Sequence, residues 1–422
     1  MVASWTSRGT SLSTAELTIE SIAAGGDGVA RADGVVVFVP RTAPGDRALV
    51  SLNLKKRFAR GRLEQVIVPS ASRVQALCYH YRVDDCGGCQ LQHMNYEAQL
   101  AAKRSIIRDS LARIGKRVLE NTPDIEASEK EWRYRRKLTL AMRRGADGQW
   151  VIGLHPFDDP NAIFQLQDCP ITDERVMNIW REIMEARRFF PPATELRASV
   201  RLVSETDVSV VMEGGDRWPA KSAFFNEVPS ITALWWKPEH KARALVAERS
   251  RAAASASFAQ VNVEVGRALH EYVLDRALAY RPDTVVDAYA GTGSTAVPLA
   301  QEGIRVVAIE ADKDAANQCA RLLPDGSRAI AARVEEAIAD VLPADVILIN
   351  PPRTGIDERV SSVLETLASP PHAIIYTSCD PGTLARDLAR MPRYRIESIR
   401  AFDMFPQTAH VETVCELVPG DA

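Results

Sequence analysis

Residues 285–294 read VVDAYAGTGS, a β-branched apolar run followed at once by a glycine turn. The run predicts a buried parallel strand, and the glycines let a ligand approach the backbone of the turn. Glu310 closes the next apolar run, where a carboxylate can hold both hydroxyls of a ribose. Because the turn is DxYxGxG and not GxGxxG, it favours S-adenosylmethionine over a dinucleotide. An ordinary strand–turn–helix is the alternative interpretation.

Further apolar runs follow at residues 305–310, 345–350 and 372–377, with helical stretches between them. This alternation predicts a mostly parallel sheet with helices on both faces. Asn350-Pro351-Pro352-Arg353 follows one of the runs. A polar side chain at the carboxyl end of a parallel strand faces the ligand crevice, so we expect Asn350 between cofactor and substrate. A plain turn is the alternative.

Two further side chains are candidates for chemistry at the same sheet edge. Cys379 ends another core run and precedes Asp380-Pro381-Gly382 and a helix. A thiol near a helix N-terminus can have a lowered pKa, which makes Cys379 a candidate nucleophile; a buried structural cysteine is the alternative. Glu412 lies where a loop enters the final strand and could act as a base, or could be a solvent-facing carboxylate.

The chain has seven cysteines, and the odd number argues against a disulfide framework. Four of them form a pattern, in which Cys86 and Cys89 bracket a glycine pair, Cys78 precedes them and Cys169 follows far along the chain. Four thiolates fit either tetrahedral zinc or an iron–sulfur cluster. The spacing predicts a metal site and does not decide between the two.

Charge is distributed unevenly along the chain. The net charge is −3, with 52 basic and 55 acidic residues, yet residues 1–70 carry nine basic and six acidic side chains and residues 103–144 carry thirteen and six. The excess predicts a polyanion partner for the N-terminal part; solvated helix faces are the alternative. Short strands with turns at residues 14–68, and a basic tip at 55–62, predict a small OB-like barrel.

Between these regions, residues 96–114 have helical spacing, which places Ile106 and Leu111 on an apolar stripe and leaves Lys103 on the surface. Residues 132–137 mix aromatic and cationic side chains, a mixture that suits stacking on bases and contact with phosphates. Surface strands can have the same composition.

Composition sets the general class of the protein. Hydrophobic residues make up 46% and charged residues 25% of the 422 residues, as in folded multidomain proteins. No apolar run reaches the roughly 18 residues of a membrane span, and residues 1–10 lack the apolar core of a secretory signal. The sequence therefore predicts a cytoplasmic protein without membrane contact.

Several segments together resemble the bacterial RNA (uracil-C5) methyltransferase family, in the branch with an N-terminal TRAM barrel and an iron–sulfur cluster. The likeness covers nearly the whole chain. The segments that carry it are GDGVARADG (26–34), VVFVP (36–40), CGGCQLQH (86–93), QDCPI (167–171), FAQVN (258–262), DAYAGTG (287–293), NPPRTG (350–355), SCDPGTLARDL (378–388) and MFPQTAHVE (404–412).

The resemblance implies a multidomain fold. An OB-like TRAM barrel (1–70) would bind RNA, a central α/β domain (71–255) would carry the iron–sulfur site, and a Rossmann-like domain (256–422) would carry the methyltransferase site. The helix at 96–114 would pack on the last domain.

The resemblance also implies residue roles. A [4Fe-4S] cluster would be held by Cys78, Cys86, Cys89 and Cys169. S-adenosyl-L-methionine would be bound by Gln260, Tyr289, Gly291, Glu310 and Asn350. Cys379 would add to carbon 6 of uracil and Glu412 would remove the proton from carbon 5. Ala290 and Asn350 stand where the family usually has Cys and Asp, and the gap between Cys78 and Cys86 is longer than in the family pattern.

The implied substrate is a uridine of RNA, with 23S rRNA first and the T arm of tRNA as the alternative, and the implied state is a monomer. Two other functions are compatible with parts of the sequence. An N-methyltransferase could use Asn350 and the proline carbonyl to position an amine. A non-catalytic RNA-binding or redox-sensing protein could use the metal site alone.

Overall fold

The structure, a computed structural model, describes residues 13–251 and 260–420. The strands in these ranges form sheets of six, seven and eight strands. Residues 1–12, on which the expectation of no secretory signal rests, lie outside the described residues, as do Phe258 and Ala259 of the FAQVN segment. Within the two ranges, no helix is both long and apolar enough to cross a membrane.

The N-terminal strands form a six-stranded sheet in the order β1-β5-β6-β4-β3-β2. Their bounds are β1 Ser13–Thr18, β2 Ser21–Ile22, β3 Gly28–Ala32, β4 Val35–Val39, β5 Arg47–Leu54 and β6 Ala59–Val68. β1 also contacts β3, which is not its hydrogen-bonded neighbour, so the sheet curls around a small apolar core that includes Val37, Val50 and Leu52. A Cβ at Gly61 would lie 2.5 Å from Cγ1 of Val50, which is why glycine is required at this close approach.

The predicted basic tip is shorter than residues 55–62. β6 already begins at Ala59, because Ala59 and Arg60 pair with Leu54 and Asn53 of β5. The pairing of backbone groups across the hairpin outweighs the turn-like composition of this segment.

A second sheet has seven strands in the order β10-β9-β8-β11-β12-β13-β14. Its strands are β8 Lys137–Arg144, β9 Trp150–Leu154, β10 Phe164–Gln165, β11 Glu195–Leu202, β12 Val208–Glu213, β13 Ala233–Lys237 and β14 Ala244–Glu248. The helical elements of this part of the chain are α1 Tyr79–Val83, α2 Tyr96–Arg113, α3 Glu174–Glu185, a 3₁₀ turn Ala186–Phe189 and α4 Lys221–Glu227. Alternate strand residues such as Leu140, Val200 and Val210 pack with Trp180 of α3 in one core.

The third sheet has eight strands in the order β17-β16-β15-β18-β19-β21-β20-β7. Its strands are β7 Asp124–Glu126, β15 Thr284–Ala288, β16 Arg305–Glu310, β17 Arg328–Ala331, β18 Val346–Ile349, β19 Ala373–Ser378, β20 Tyr394–Phe402 and β21 Glu412–Pro419. The helices are α5 Val263–Ala279, α6 Ala296–Gln301, α7 Lys313–Leu322, α8 Val334–Val341, α9 Glu358–Thr366 and α10 Pro381–Ala389. Strands β15 to β19 pair in parallel, and β21 runs antiparallel to both of its neighbours.

The order of this sheet decides where a ligand can bind. From β15 the chain moves outward to β16 and β17 and then returns to β18 on the other side. The crevice beyond the carboxyl ends of β15 and β18 is therefore the topological switch point, where open α/β sheets bind their ligands. Tyr289 and Asn350 are the first residues beyond those two strands.

Helix α2 lies against α10, and the prediction of a helix at 96–114 agrees with its bounds. The expectation for Lys103 is wrong, however. Its side chain is completely buried, forms an ion pair with Asp403 and donates a hydrogen bond to the carbonyl of Phe405 at 3.0 Å. The residues that bury Lys103 lie 300 positions away in the sequence, so helical spacing alone placed it on the wrong face.

Candidate active site

The glycine turn after β15 has a backbone that few residues adopt. Tyr289 has φ +70°, and Gly291 and Gly293 have φ +58° and +90°. Positive φ is unfavourable for a side chain as large as tyrosine, and such strain is concentrated at functional sites. A Cβ at Gly293 would lie 2.7 Å from Sγ of Cys319, whereas a Cβ at Gly291 would meet nothing within 4 Å. The turn is thus packed beneath Gly293 and open beside Gly291.

Glu310 is fixed against this turn. Its Oε2 accepts a hydrogen bond from the amide of Gly291 at 2.9 Å, and its Oε1 accepts one from the amide of Asp312 at 2.7 Å. Each carboxylate oxygen has a second lone pair, so both can still accept from a bound hydroxyl group. The position at the end of β16 is the one expected for a residue that holds a ribose.

Asp287 is a site residue that sequence analysis missed. It is buried beneath the turn, and its Oδ2 has no hydrogen-bond partner within the described ranges. Burial raises the pKa of Asp287 to about 7, the amide of Ala296 opposes this rise, and the carboxylate of Glu310 adds to it. An unpartnered buried oxygen at a switch point fits a cationic or hydrogen-bonding ligand group. The signal was present in the sequence as the acid of the DxYxGxG pattern.

The other two candidate cofactor residues lie on separate elements. Asn350 is exposed just beyond β18, and its backbone N–H donates to the carbonyl of Ala288 at 3.4 Å. Gln260 lies against the start of α5, where a Cβ at Gly266 would come within 2.7 Å of its Cγ. Asn350 is thus tied to β15 next to the glycine turn, and Gln260 to the start of α5.

Helix α10 fixes the loop that carries Asn350. Oδ2 of the buried Asp387 accepts hydrogen bonds from the amide of Ile356 at 3.0 Å and the hydroxyl of Tyr376 at 2.7 Å. Thr383 and Arg386 donate to the carbonyls of Arg353 and Thr354 at 3.1 and 2.7 Å. These bonds hold the NPPRTG segment against the helix that follows Cys379.

Gly355 permits this close approach. It has φ +77°, and a Cβ there would lie 2.2 Å from Oδ2 of Asp387. Any side chain would therefore meet both backbone strain and a steric clash. The glycine sets the distance between the loop and α10.

Strand register brings Cys379 and Glu412 together. In the antiparallel pair β19–β21, Ser378 lies opposite Thr413, so the next residue of one strand faces the preceding residue of the other. Cys379 and Glu412 are therefore neighbours at the sheet edge. The residue after Cys379, Asp380, caps α10 by accepting a hydrogen bond from the amide of Thr383 at 2.7 Å.

The expected lowering of the Cys379 pKa is wrong. Burial raises the pKa of the thiol, the charge of Glu412 raises it further, and Arg353 opposes both. Burial also raises the pKa of Glu412 to about 7, again with Arg353 opposing. The helix N-terminus is too weak to offset the loss of solvent around the sulfur. Sequence analysis named Arg353 only as part of a motif. In the structure its positive charge opposes the rise in pKa at both Cys379 and Glu412.

The loop before Glu412 is tied to distant segments. Gln99 of α2 exchanges two hydrogen bonds with Gln407, both at 2.9 Å. The amides of Gln90 and Leu91 donate to the carbonyl of Gln407 at 3.2 and 3.0 Å. Tyr134 donates to the carbonyl of Pro406 at 3.0 Å. Helix α2 and the segment after Cys89 therefore both position this loop.

The four candidate metal ligands converge in space. Cys78, Cys89 and Cys169 share one small apolar cluster, and Sγ of Cys86 accepts from the amide of Gly88 at 3.4 Å. Burial raises the pKa of each thiol, and the charges of the other cysteines add to this rise for Cys86, Cys89 and Cys169. Three buried thiols and the partly buried Cys169, whose charges would repel one another, form a donor set that suits a cation.

Across residues 13–251 and 260–420, no group of three His, Cys, Asp or Glu side chains is placed to hold a single metal ion. Tetrahedral zinc with Zn–S bonds of about 2.3 Å requires sulfurs about 3.8 Å apart. In a [4Fe-4S] cluster each thiolate binds a different iron, so the sulfurs lie farther apart. The described residues show no metal site, and the metal group on the four cysteines stays a prediction.

Comparison with known proteins supports an RNA-modifying class. A family model described as tRNA (Uracil-5-)-methyltransferase matches residues 326–418. An uncharacterized RNA methyltransferase of Halalkalibacterium halodurans is 30% identical over 453 residues, which cover 95% of this chain and 96% of the relative. A second uncharacterized RNA methyltransferase, from Listeria monocytogenes, is 31% identical over 448 residues, with 95% and 97% coverage.

One solved structure is similar along the whole chain. The crystal structure of Pyrococcus abyssi tRNA (uracil-54, C5)-methyltransferase in complex with S-adenosyl-L-homocysteine aligns with a TM-score of 0.68 and 23% identity, covering 96% of this chain and 100% of that chain. At this identity the likeness shows a shared fold.

Fold, site and relatives together define an RNA methyltransferase. The chain belongs to the RNA (uracil-5-)-methyltransferase family and is an S-adenosylmethionine-dependent enzyme. The family expected from the sequence is confirmed, and the non-catalytic alternative is set aside, while the branch with a TRAM barrel and an iron–sulfur cluster stays a prediction.

Proposed function

We propose that this enzyme methylates carbon 5 of a uridine in RNA, with Cys379 as the nucleophile and Glu412 as the base. The observation that carries the proposal is that Cys379, just beyond the end of β19, and Glu412, at the start of β21, are neighbours whose charges interact, at the same sheet edge as the glycine turn. An enzyme that methylates nitrogen needs neither a thiol nor a second carboxyl group at this edge. The paired Cys379 and Glu412 therefore favour carbon methylation over the N-methyltransferase alternative.

The proposed chemistry starts from the poor nucleophilicity of carbon 5. Sγ of Cys379 forms a bond to carbon 6, and the electron pair of the ring double bond moves to carbon 5 as an enolate. Bound S-adenosylmethionine supplies a methyl group to that carbon. Glu412 then takes the proton from carbon 5, the bond between Sγ and carbon 6 breaks, and the double bond is restored.

The protonation states suit this sequence once ligands bind. Burial and the charge of Glu412 raise the pKa of the Cys379 thiol and so favour its protonated form. A cation bound beside the sulfur, such as a sulfonium, would favour the thiolate in the same way as Arg353 does. Glu412, with a pKa of about 7, can both accept and release a proton near neutral pH.

We assign the cofactor to the crevice at the switch point. Gln260, Tyr289, Gly291, Glu310 and Asn350 would bind it, with Glu310 accepting from ribose hydroxyls. The unpartnered oxygen of Asp287 and the open space beside Gly291 support this assignment. Asn350 would act through hydrogen bonds, because its amide has no charge to offer.

We further propose a [4Fe-4S] cluster on Cys78, Cys86, Cys89 and Cys169. The clustering of Cys78, Cys89 and Cys169, and the influence of the four thiols on one another's pKa, support it. The segment between Cys86 and Gln92 donates two hydrogen bonds to Gln407 in the loop before Glu412. A cluster here would stabilise that segment, and through it the position of the base, without any electron transfer.

For the RNA we propose 23S rRNA, on the resemblance to the branch with a TRAM barrel and a cluster. The curled six-stranded sheet would be the TRAM barrel, and the enzyme would act as a cytoplasmic monomer. The T arm of tRNA is the second candidate. It is favoured by the match to the tRNA (Uracil-5-)-methyltransferase family model and by the similarity in fold to the Pyrococcus abyssi tRNA (uracil-54, C5)-methyltransferase.

Total RNA from cells that lack the enzyme tests the proposal. The purified enzyme is incubated with this RNA and methyl-labelled S-adenosylmethionine, and the RNA is then digested to nucleosides. We expect label in 5-methyluridine from 23S rRNA. Label in tRNA alone would show that the substrate is tRNA and not 23S rRNA. Label on a nitrogen atom of a base would overturn the proposed reaction.

A further inference from the structure

The loop between β20 and β21 contains a residue with a strained backbone, five positions before Glu412. Gln407 has φ +70°, a conformation that residues with a side chain rarely adopt, and it is buried. Strain of this kind persists only where the surrounding structure determines it. The contacts of Gln407 therefore decide the conformation of the segment that leads to Glu412.

Gln99 of α2 provides the contacts that are specific to this conformation. Its Oε1 accepts a hydrogen bond from the backbone N–H of Gln407 and its Nε2 donates to Oε1 of Gln407, both at 2.9 Å. Nε2 also donates to the carbonyl of Met94 at 2.9 Å. Gln99 is 1% exposed, so both N–H groups of its amide are used inside the protein and water cannot replace these bonds.

Helix α2 holds the same loop at a second point. Lys103 lies one turn after Gln99, and residues four apart on a helix share a face. Lys103 forms an ion pair with Asp403 and donates to the carbonyl of Phe405 at 3.0 Å. The start of the loop and its strained residue are therefore both fixed from one side of α2.

The segment 407–412 is ordered along its length. The hydroxyl of Thr408 donates to the carbonyl of Phe405 at 2.9 Å. Ala409 is buried in an apolar cluster that includes residues of α2, and Val411 is buried in the core of the eight-stranded sheet. The strained residue and the carboxyl group of the proposed base thus belong to one packed segment.

The thiol side of the site is fixed by different contacts. The hydroxyl of Ser378 donates to the carbonyl of Asp380 at 3.0 Å and accepts from its amide at 3.2 Å. Asp380 in turn accepts from the amide of Thr383 at the start of α10, at 2.7 Å. Gln99 takes part in none of these bonds. Its loss should therefore shift the base relative to the thiol and not displace both groups together.

We infer that Gln99 is a positioning residue for Glu412, and that it governs the release of the methylated uridine from Cys379. The inference rests on the proposed function. In that chemistry, addition of the thiol and transfer of the methyl group do not use Glu412.

The last step does use Glu412. Its carboxylate takes the proton from carbon 5, the electron pair of that C–H bond restores the ring double bond, and the bond between Sγ and carbon 6 breaks to release the thiolate. A misplaced base slows this step alone. The methylated RNA then stays covalently attached to the enzyme for longer.

The test compares three variants with the wild type. Gln99→Met keeps the length of the side chain and removes its hydrogen bonds to Gln407. Glu412→Gln is the reference for loss of the base. Trp218→Phe is the stability control, because it removes the buried hydrogen bond from Nε1 to the carbonyl of Phe189, at 2.6 Å, in the core of the seven-stranded sheet.

Each protein is incubated with total RNA from cells that lack the enzyme and with methyl-labelled S-adenosylmethionine. The labelled protein–RNA adduct that survives denaturation is measured, together with kcat, KM for RNA and the melting temperature. If Gln99→Met does not fold, the same comparison is made with Gln99→Glu. That milder variant keeps an oxygen that can accept from the amide of Gln407.

We expect Gln99→Met to lower kcat by about tenfold to a hundredfold, as small displacements of reacting groups do. KM for RNA should not rise, because a side chain that is 1% exposed is out of reach of RNA. The labelled adduct should accumulate to a level between those of the wild type and Glu412→Gln. Trp218→Phe should lower the melting temperature without accumulation of adduct.

A normal kcat and a wild-type level of adduct in Gln99→Met would overturn the inference. A lower kcat without more adduct would also overturn it, because the loss would then reflect a general disturbance of the fold. In both cases, accumulation of adduct in Glu412→Gln leaves the proposed function intact. Absence of adduct in Glu412→Gln would instead contradict the proposed role of Glu412 itself.

Discussion

Cys379 follows Ser378, the last residue of β19, and Glu412 precedes Thr413, the partner of Ser378 in β21, so the antiparallel register makes Cys379 and Glu412 neighbours. Burial raises the pKa of both groups, the charge of Glu412 adds to the rise at Cys379, and Arg353 partly offsets these effects. As proposed above, a thiol and a carboxyl group held in this way would act in succession on one pyrimidine ring.

The pH dependence of the reaction should report on Glu412. Its pKa of about 7 means that the ionised base becomes available only as pH rises through neutrality. Thiolate formation at Cys379, whose pKa is raised, also increases with pH. We expect kcat/KM to rise between about pH 6 and pH 8, as measured with saturating cofactor. A rate that falls over this range would contradict the assignment of Glu412 as the base.

The stability of the folded protein should also depend on the ionisation of Glu412. The folded protein raises the pKa of Glu412 above the ordinary value of 4.5, so ionising this carboxyl group costs stability from about pH 4.5 upward, until the group ionises in the folded state as well near pH 7. Glu412→Gln removes this cost. The variant should have a higher melting temperature than the wild type at about pH 8 and nearly the same one at about pH 5. An equal difference at both pH values would show that titration of Glu412 is not the cause.

Gly355 should be sensitive to substitution for two reasons, and Gly303 for only one. Both have positive φ, +77° and +89°, but a Cβ at Gly355 meets Asp387 at 2.2 Å while a Cβ at Gly303 meets nothing within 4 Å. Gly303→Ala should cost about 1–2 kcal/mol from backbone strain. Gly355→Ala should cost clearly more in urea unfolding and should reduce methylation, because the loop of Asn350 and Arg353 is displaced. Equal costs would contradict the described contact.

The buried pair Lys103–Asp403 should behave as one unit. Lys103→Met leaves a buried carboxylate unpaired and should destabilise the protein by about 3–5 kcal/mol. The double variant Lys103→Met/Asp403→Leu removes both charges and should recover at least half of that loss. Urea unfolding of the two single variants and the double variant gives the coupling between the residues. Additive losses would show that the pair is not coupled.

The proposed cluster can be tested by its dependence on one cysteine. Cys89→Ser should lower iron and acid-labile sulfide in anaerobically purified protein and should reduce methylation, because the amides of Gln90 and Leu91 hold Gln407. Cys415→Ser is the control: this cysteine is also buried, but it lies in β21 outside the proposed ligand set. Iron content that stays unchanged in Cys89→Ser, or falls equally in the control, would argue against the assigned ligands.

Sequence patterns predicted the parts of the site that lie next to each other in the chain. The strand ends at Ala288, Glu310 and Ile349 agree with the predicted runs, and Glu412 opens the final strand as expected. These positions follow from local apolar runs and from the turns that end them. The order of the strands then brings them to one edge.

Features that depend on long-range packing could not be predicted in this way. Lys103 is buried only because Asp403 and the Phe405 carbonyl receive its ammonium group. The Cys379 thiol has a raised pKa because tertiary burial outweighs the helix N-terminus beside it. The loop before Glu412 is held by hydrogen bonds between Gln99 and Gln407, which are 308 positions apart in the chain. In each case the decisive neighbour is distant in sequence.

Trapping of a covalent intermediate tests the central claim most directly. RNA in which 5-fluorouridine replaces uridine offers carbon 6 to the thiol but no proton on carbon 5 for Glu412 to remove. With this RNA and S-adenosylmethionine, the wild-type enzyme should form a denaturation-resistant adduct whose linked peptide contains Cys379. Cys379→Ala should form no adduct and should not methylate ordinary RNA, while binding of the cofactor stays near normal. Methylation by Cys379→Ala, or an adduct on another residue, would contradict the account.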